Sequence, residues 1–401
     1  MKKLFIFTII IILLLQLCGC TIAASKQIEV SPADTVEETV LPSLSSSPSQ
    51  SPLPSTNAPT ATPILPTSSP KPKLPTSSPK PTALPTPSPT PIPGDIVSMG
   101  DAVYGYEEMT ADINKLLEKF PQYLTKQTIG KSTYGREIPL IILGNTNASK
   151  KILIQGSTHA REYVTSLLIM KQIEDYCELY TSGTYNNMSY ANLFNQCAIY
   201  FVPMINPDGV DISIYGLDSV PAEWQQLISD INGNNAYKNW KANGAGVDLN
   251  GNFGTGLGDL SKLPTSPQPD GYPGPYPFSE PETQIIKQLC INNAFLNVTS
   301  YHACGKIIYW YYFQDDTTKT RDYQYALELQ KLTGYSLVAP EKIDATTVGL
   351  KDWFVQQYNR PGFTIEVGAS SYGTPVPAKE VINIWNQNYL VPIHLAWKEC
   401  S

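Results

Sequence analysis

Hydrophobic positions from residue 97 onward fall into two alternating rhythms. "KILIQGS", "AIYFVPMI", "LNVTSY" and "GFTIEVG" are short runs rich in branched and aromatic residues, with the length and composition of β-strands. Between them, "TSLLIMKQIEDYCELY" and "SEPETQIIKQLCINNA" are helical stretches. Ahead of them, "MTADINKLLEKFPQYL" places Ile113, Leu116, Leu117 and Phe120 on one helical face, with Thr110 as the expected N-cap. This alternation predicts an α/β domain whose central sheet is largely parallel and flanked by helices. Residues 97–401 suit one such domain.

The polar residues that follow these strands are less ordinary. His159 and Glu162 come after "KILIQG", and Asn206-Pro207-Asp208-Gly209 comes after "AIYFVPMI". His302 follows "LNVTSY", and Glu366 sits inside "FTIEVG". In open α/β sheets the ligand crevice lies outside the carboxyl ends of the strands. Four strands therefore deliver polar or ionisable groups to one edge.

His159, Glu162 and His302 together make a His₂Glu set, the ligand type of a hydrolytic zinc site that keeps one position open for water. The His-x-x-Glu spacing alone also fits a surface turn, and His302 alone fits a hydrogen-bonded residue at a strand end. Glu366 alternates with Phe363, Ile365 and Val367, and a carboxylate in a central strand is costly to bury without a partner. It is expected to face the crevice, where a general base belongs; on an edge strand it would face solvent instead. The third histidine, His394 in "VPIHLAW", lies on an apolar stretch and reads as structural.

The N-terminal quarter has a different pattern. "MKKLFIFTIIIILLLQLCGC" carries two lysines and then an apolar run, short for a membrane span of about 20 residues but right for the core of a secretion signal. Its end, Leu17-Cys18-Gly19-Cys20, resembles the bacterial lipobox, which implies cleavage before Cys20 and lipidation of Cys20. The alternative is an ordinary signal peptide cut near "TIAAS". Residues 21–96 follow as a Pro/Ser/Thr-rich linker in which "LPTSSPKP" occurs twice. Proline fixes φ and removes donors, so the linker is expected to be disordered and extended, with a reach on the order of 100 Å or more at about 3.1 Å per residue. The expected organisation is a lipoprotein-type signal peptide (1–20), a disordered stalk (21–96) and a catalytic domain (97–401). Such a protein would be exported to the outer face of the bacterial membrane, held by a lipid anchor and reaching into the cell wall.

Composition adds exclusions. A net charge of −7 with no basic stripe argues against nucleic-acid binding. Of seven cysteines, five lie beyond the signal (Cys177, Cys197, Cys290, Cys304, Cys400). No CxxC spacing occurs, so zinc held by cysteines is not expected, and buried free thiols are.

With these residues in place, the domain resembles the zinc carboxypeptidases of the carboxypeptidase A type. "STHAREY", "PMINPDGVD", "GVDLNGNF", "FSEPET", "SYHACG" and "KDWFVQQYNRPGFTIEVG" carry the resemblance, in order, over nearly the whole globular part. It implies a single α/β domain with a mixed central sheet between helices. One Zn²⁺ would be bound by His159, Glu162 and His302, and Glu366 would activate the water and shuttle its proton. Arg161 would contact substrate carbonyl or carboxylate groups, and Asn250 would help to hold a terminal carboxylate. Lys241 falls where the family places an oxyanion-stabilising arginine; a lysine acts there as a point charge.

Two departures bear on specificity. Asn250-Gly251-Asn252 stands where the family reads Asn-Arg-Asn, and that arginine clamps the free carboxylate of an exopeptidase substrate. The substrate-closing tyrosine would fall near Asp344, where there is none. "VGLKDWFVQQYNRPGFTIEVG" is similar to the subgroup that cleaves the γ-D-glutamyl–diamino acid bond of peptidoglycan stem peptides. Three readings follow: a cell-wall peptidase of that kind, a zinc carboxypeptidase trimming ordinary exported peptides, and a catalytically silent peptide-binding domain.

Overall fold

The computed structural model describes residues 96–401. The signal peptide, Cys20 and nearly all of the Pro/Ser/Thr linker lie outside the described residues. At the start of the described chain, the Ile96 and Val97 amides donate to the buried Glu174 carboxylate at 3.0 and 3.3 Å.

Eight strands form one sheet: β1 (Leu124–Lys131), β2 (Glu137–Leu143), β3 (Lys150–Gln155), β4 (Cys197–Val202), β5 (Asn297–Ala303), β6 (Ile307–Tyr309), β7 (Ser336–Leu337) and β8 (Gly362–Val367). Their order is β1-β2-β4-β3-β5-β8-β6-β7. The central four, β4, β3, β5 and β8, are parallel, and β1, β2 and β6 make antiparallel pairings beside them. The sheet is thus mixed and mostly parallel, as expected.

Ten helices accompany it among the described residues: α1 (Tyr106–Lys119), α2 (Val164–Glu178), α3 (Tyr190–Gln196), α4 (Pro207–Tyr215), α5 (Ala222–Asn232), α6 (Pro281–Asn292), α7 (Asp316–Thr333), α8 (Leu350–Tyr358), α9 (Val381–Asn388) and α10 (Val391–Cys400). Alternation along the strands divides the core. Ile152, Ile154, Ile199, Phe201, Tyr301 and Ile365 bury one face against residues of α1, α2, α9 and α10. Leu153, Tyr200 and Val298 face the other way, into a core shared with Ile286 and Leu289 of α6 and Leu350 and Phe354 of α8.

The structure corrects two local expectations. Helix α1 starts at Tyr106 behind Gly105, and Thr110 lies inside it with its hydroxyl bonded to the Tyr106 carbonyl at 2.8 Å. The acidic pair Glu107-Glu108 occupies the first turn, where the helix dipole favours negative charge. At the other end Pro121 follows the helix, and Leu124 already belongs to β1.

The connections place the crevice. From β3 the chain crosses to β4 on one side, whereas β5 lies on the other side of β3. The carboxyl ends of β3 and β5 therefore flank a topological switch point. The Asn-Pro-Asp-Gly turn after β4 secures the loops there. Asn206 caps α4 by accepting from Gly209 N at 3.0 Å and donates to the Thr158 and Ala242 carbonyls, each at 3.1 Å. Gly209 is required by close approach, because a β-carbon on it would lie 2.3 Å from Ala242 O. Gly209→Ala is expected to lower stability by about 1–3 kcal/mol, measured by thermal unfolding; an unchanged melting temperature would show that the loop yields without cost.

Candidate metal centre

Each metal-binding side chain owes its position to a strand end. After β3 the chain turns through Ser157 and Thr158, and His159 precedes a single 3₁₀ turn, Ala160–Glu162, that leads into α2. That turn puts His159 and Glu162 on the same side, with Nδ1 and Oε1 2.8 Å apart. His302 lies within β5, near its carboxyl end, and is not in the loop after it. Its Nδ1 is 3.1 Å from His159 Nδ1 and 3.1 Å from Glu162 Oε2. One donor atom from each residue can be chosen so that all lie within 4.8 Å of one another, and all three side chains are buried.

The outer nitrogens of the two rings have other neighbours. His302 Nε2 lies 3.1 Å from Ser300 Oγ, and His159 Nε2 lies 3.3 Å from Asp248 Oδ1. The Ala303 amide donates to Glu162 Oε2 at 3.1 Å. Metal-binding histidines characteristically engage a carboxylate or another polar group through the second ring nitrogen, which fixes tautomer and ring orientation. Two imidazoles and one carboxylate, converging and supported in this way, fit a zinc ion and leave room for a water.

The electrostatics match such a site. Burial alone would raise the Glu162 carboxyl, but His159 and His302 hold it well below the usual carboxylate range. Burial works against a charged His159, yet Glu162 and Asp248 outweigh it and push the imidazole up to about 9. His302 is lowered, first by burial and then by the charge of His159. Asp248 is kept ionised against its burial by Lys241 and His159.

The other predicted residues surround this centre. Glu366 of β8 is the register partner of His302 on the adjacent parallel strand, and so shares its sheet face. The residue is partly open to solvent. Burial, then repulsion from Glu162, raises its carboxyl to about 8. Lys241 sits between Asp248 at 2.8 Å and Asp270 at 2.9 Å. Arg161 reaches Asp270 at 3.3 Å and the Asn239 carbonyl at 3.1 Å. Asn250 donates its amide to Asp248 Oδ1 at 3.0 Å, and its side chain packs close over Gly349. His394 is remote in kind, held by Tyr185 OH at 2.9 Å and Glu328 Oε2 at 3.0 Å. All five described cysteines are free.

Gly251 is buried, and a β-carbon there would meet Pro273 Cβ at 3.1 Å and Thr347 Cγ2 at 3.6 Å. A side chain at this position would have Pro273 and Thr347 as its first neighbours, neither of them charged. Asp344 is exposed on the loop before α8.

Sequence reasoning missed Asp248, Asp270 and Ser300. Asp248 lies inside the quoted "GVDLN" run, but a carboxylate in an aperiodic loop carries no signal of the ring it will face. Ser300 could have been found, because it lies two residues before His302 and therefore on the same face of the strand.

Comparison with known proteins agrees with this geometry. The zinc carboxypeptidase family profile matches residues 109–391. A gamma-D-glutamyl-L-diamino acid endopeptidase 1 from Lysinibacillus sphaericus is 33% identical over 290 residues, which cover 72% of this chain and 71% of that protein. Among solved structures, thrombin activatable fibrinolysis inhibitor superposes with a TM-score of 0.59 at 17% identity, over 74% of this chain and 78% of that one. Carboxypeptidase A from Helicoverpa armigera superposes with a TM-score of 0.56 at 20% identity, over 75% and 74% of the two chains. These two superpositions establish the fold.

Asp248→Asn is expected to lower zinc affinity by about 10–100-fold, read by competition with a chromophoric chelator. An unaltered affinity would mean that Asp248 only neutralises Lys241.

Proposed function

The chain belongs to the zinc carboxypeptidase family, and on that footing we propose that it hydrolyses the γ-D-glutamyl–diamino acid bond of peptidoglycan stem peptides. It is a zinc metallopeptidase, with His159, Glu162 and His302 as the zinc ligands. The similarity to a gamma-D-glutamyl-L-diamino acid endopeptidase supports the narrower substrate.

The observation that carries the reading is the neutral wall at Gly251. An exopeptidase of this family needs a cation to clamp a free terminal carboxylate. Here Pro273 and Thr347 face that position. Three nearby cations are paired: Lys241 with Asp248 and Asp270, Arg161 with Asp270, and Lys351 with Asp352 and the Tyr311 carbonyl. A substrate with branched carboxylates depends less on such a clamp than an ordinary peptide end does.

When bound, the zinc ion supplies Lewis-acid polarisation of the scissile carbonyl and acidification of water. Glu366, on the same sheet face as His302, takes the proton of the attacking water and delivers it to the leaving amine. Burial raises its carboxyl, and the charge of a bound zinc ion would counter that rise. Lys241 stays cationic because its two carboxylates outweigh the cost of burial, and it stabilises the developing oxyanion. Arg161 and Asn250 position the substrate. Asp248 orients His159 through the Nε2 contact and at the same time fixes Lys241, so one carboxylate couples the metal ligand to the oxyanion group.

Lipidation at Cys20 and the Pro/Ser/Thr stalk belong to the same proposal. An enzyme tethered outside the membrane by a Pro/Ser/Thr-rich segment of this length would have the wall polymer within reach.

The reading is tested by mass spectrometry of digests. Chelator-sensitive cleavage of stem peptides at the γ-D-glutamyl bond is expected, with a plain peptide bearing a free C-terminus left intact. Glu366→Gln should retain zinc and lose about 10²–10⁴-fold in kcat. Stepwise trimming of the plain peptide would overturn the reading in favour of an ordinary carboxypeptidase.

A further inference from the structure

A pocket of about 340 Å³ opens beside the metal centre, next to Arg161. Its volume is at the lower end of the range of about 300–1,000 Å³ that holds small molecules. Four carboxamide residues line it, Asn232, Asn234, Asn239 and Gln268, together with the Arg161–Asp270 ion pair. Asn232 ends α5, and the other three lie on the loops that follow it.

The lining selects a chemistry. Asn232 and Asn234 each donate to the other's carbonyl and Asn234 Oδ1 accepts from the Ala236 amide, so Asn239 and Gln268 are the carboxamides best placed to donate to and accept from hydroxyl and acetamido groups. The guanidinium is already matched by Asp270, which also holds Lys241, so the pocket offers no free charge to an ion. Carbon atoms make up most of the exposed lining, so a ligand that fits also presents apolar faces between its polar groups. A neutral ligand rich in hydroxyl and amide groups fits these properties best.

The sheet order says which part of the substrate reaches it. Metal ligands come from the ends of β3 and β5, and Glu366 comes from β8, on the far side of β5 from β3. The group that protonates the leaving amine lies near that amine, so the diamino acid extends toward β8 and β6. The acyl half runs the other way, past β3, where Arg161 follows its strand end and opens the pocket. In a peptidoglycan stem, the acyl half leads from D-glutamate through L-alanine to the lactyl ether of an N-acetylated amino sugar.

We propose that this carboxamide pocket is a subsite for that sugar, so that the enzyme prefers stem peptides still joined to the glycan over free peptides. The inference rests on the γ-D-glutamyl reading and adds a second point of recognition to it. A short peptide extension is also neutral and amide-rich, and the test separates the two.

Three substrates share one scissile γ-D-glutamyl bond: an N-acetylmuramoyl stem peptide, the same peptide without sugar, and the same peptide extended by acetyl-dialanine. With the full chain in its zinc form, kcat/KM for the sugar-bearing substrate is expected to exceed both others by about fivefold or more. Gln268→Leu and Asn239→Leu alter exposed residues, so their folding cost is small. Each is expected to bring the ratio between sugar-bearing and bare substrate toward one, mainly through KM. Equal rates for all three substrates, equal preference for the peptide extension, or a sugar preference that survives both variants would overturn the proposal. Calorimetric binding of the acyl product, N-acetylmuramoyl-L-alanyl-D-glutamate, tests the pocket apart from cleavage. Binding that weakens about fivefold in Gln268→Leu supports the pocket even if no γ-D-glutamyl bond is cut, and absence of binding to the native chain overturns it.

Discussion

A buried carboxylate between two imidazoles is the constraint from which the rest of this structure follows. Glu162, His159 and His302 have little access to water, and their donor atoms lie 2.8–3.1 Å apart. Groups held so closely in a protein interior need a cation at their centre or tight control of their protons. The fold meets this need by strand geometry. Two parallel neighbours, β3 and β5, end at the switch point of the sheet, and each delivers its ligands there. A second ring of polar groups, Asp248 and Ser300, lies 3.3 and 3.1 Å from the outer nitrogens of His159 and His302.

Charge alternates outward from that centre. His159 contacts Asp248, which binds Lys241; Lys241 binds Asp270, and Asp270 binds Arg161. Every link is 2.8–3.3 Å long. The series connects a metal ligand through Lys241 to the rim of the carboxamide pocket. It also leaves both Lys241 and Arg161 paired with carboxylates. Gly251, beside Pro273 and Thr347, adds no charge.

Much of this was legible in the sequence, for a definite reason. His159, Glu162, His302 and Glu366 interrupt or terminate strongly apolar β runs, and a polar residue in such a place stands out against the expected pattern. The four parallel strands were readable because β3 and β4 are nearly continuous apolar runs and β5 and β8 are rich in β-branched and aromatic residues. Edge strands β6 and β7 are two or three residues long and give almost no periodic signal. The start of α1 was misplaced because Gly105 caps it without a side chain, leaving Thr110 as the most visible cap candidate. Asp248, Asp270 and the pocket asparagines were hidden for another reason: they lie on loops whose approach to the site depends on tertiary contacts such as Asn206 with Ala242.

The central claim is that the His159–Glu162–His302 cluster is a zinc site, and X-ray absorption at the zinc edge of the purified chain tests it most directly. The account predicts one zinc per chain, with two imidazole nitrogens at about 2.0–2.1 Å, carboxylate and water oxygens, and no sulfur. It also predicts loss of that signature in His302→Ala. A sulfur shell at about 2.3 Å, or a zinc signal untouched by His302→Ala, would contradict it.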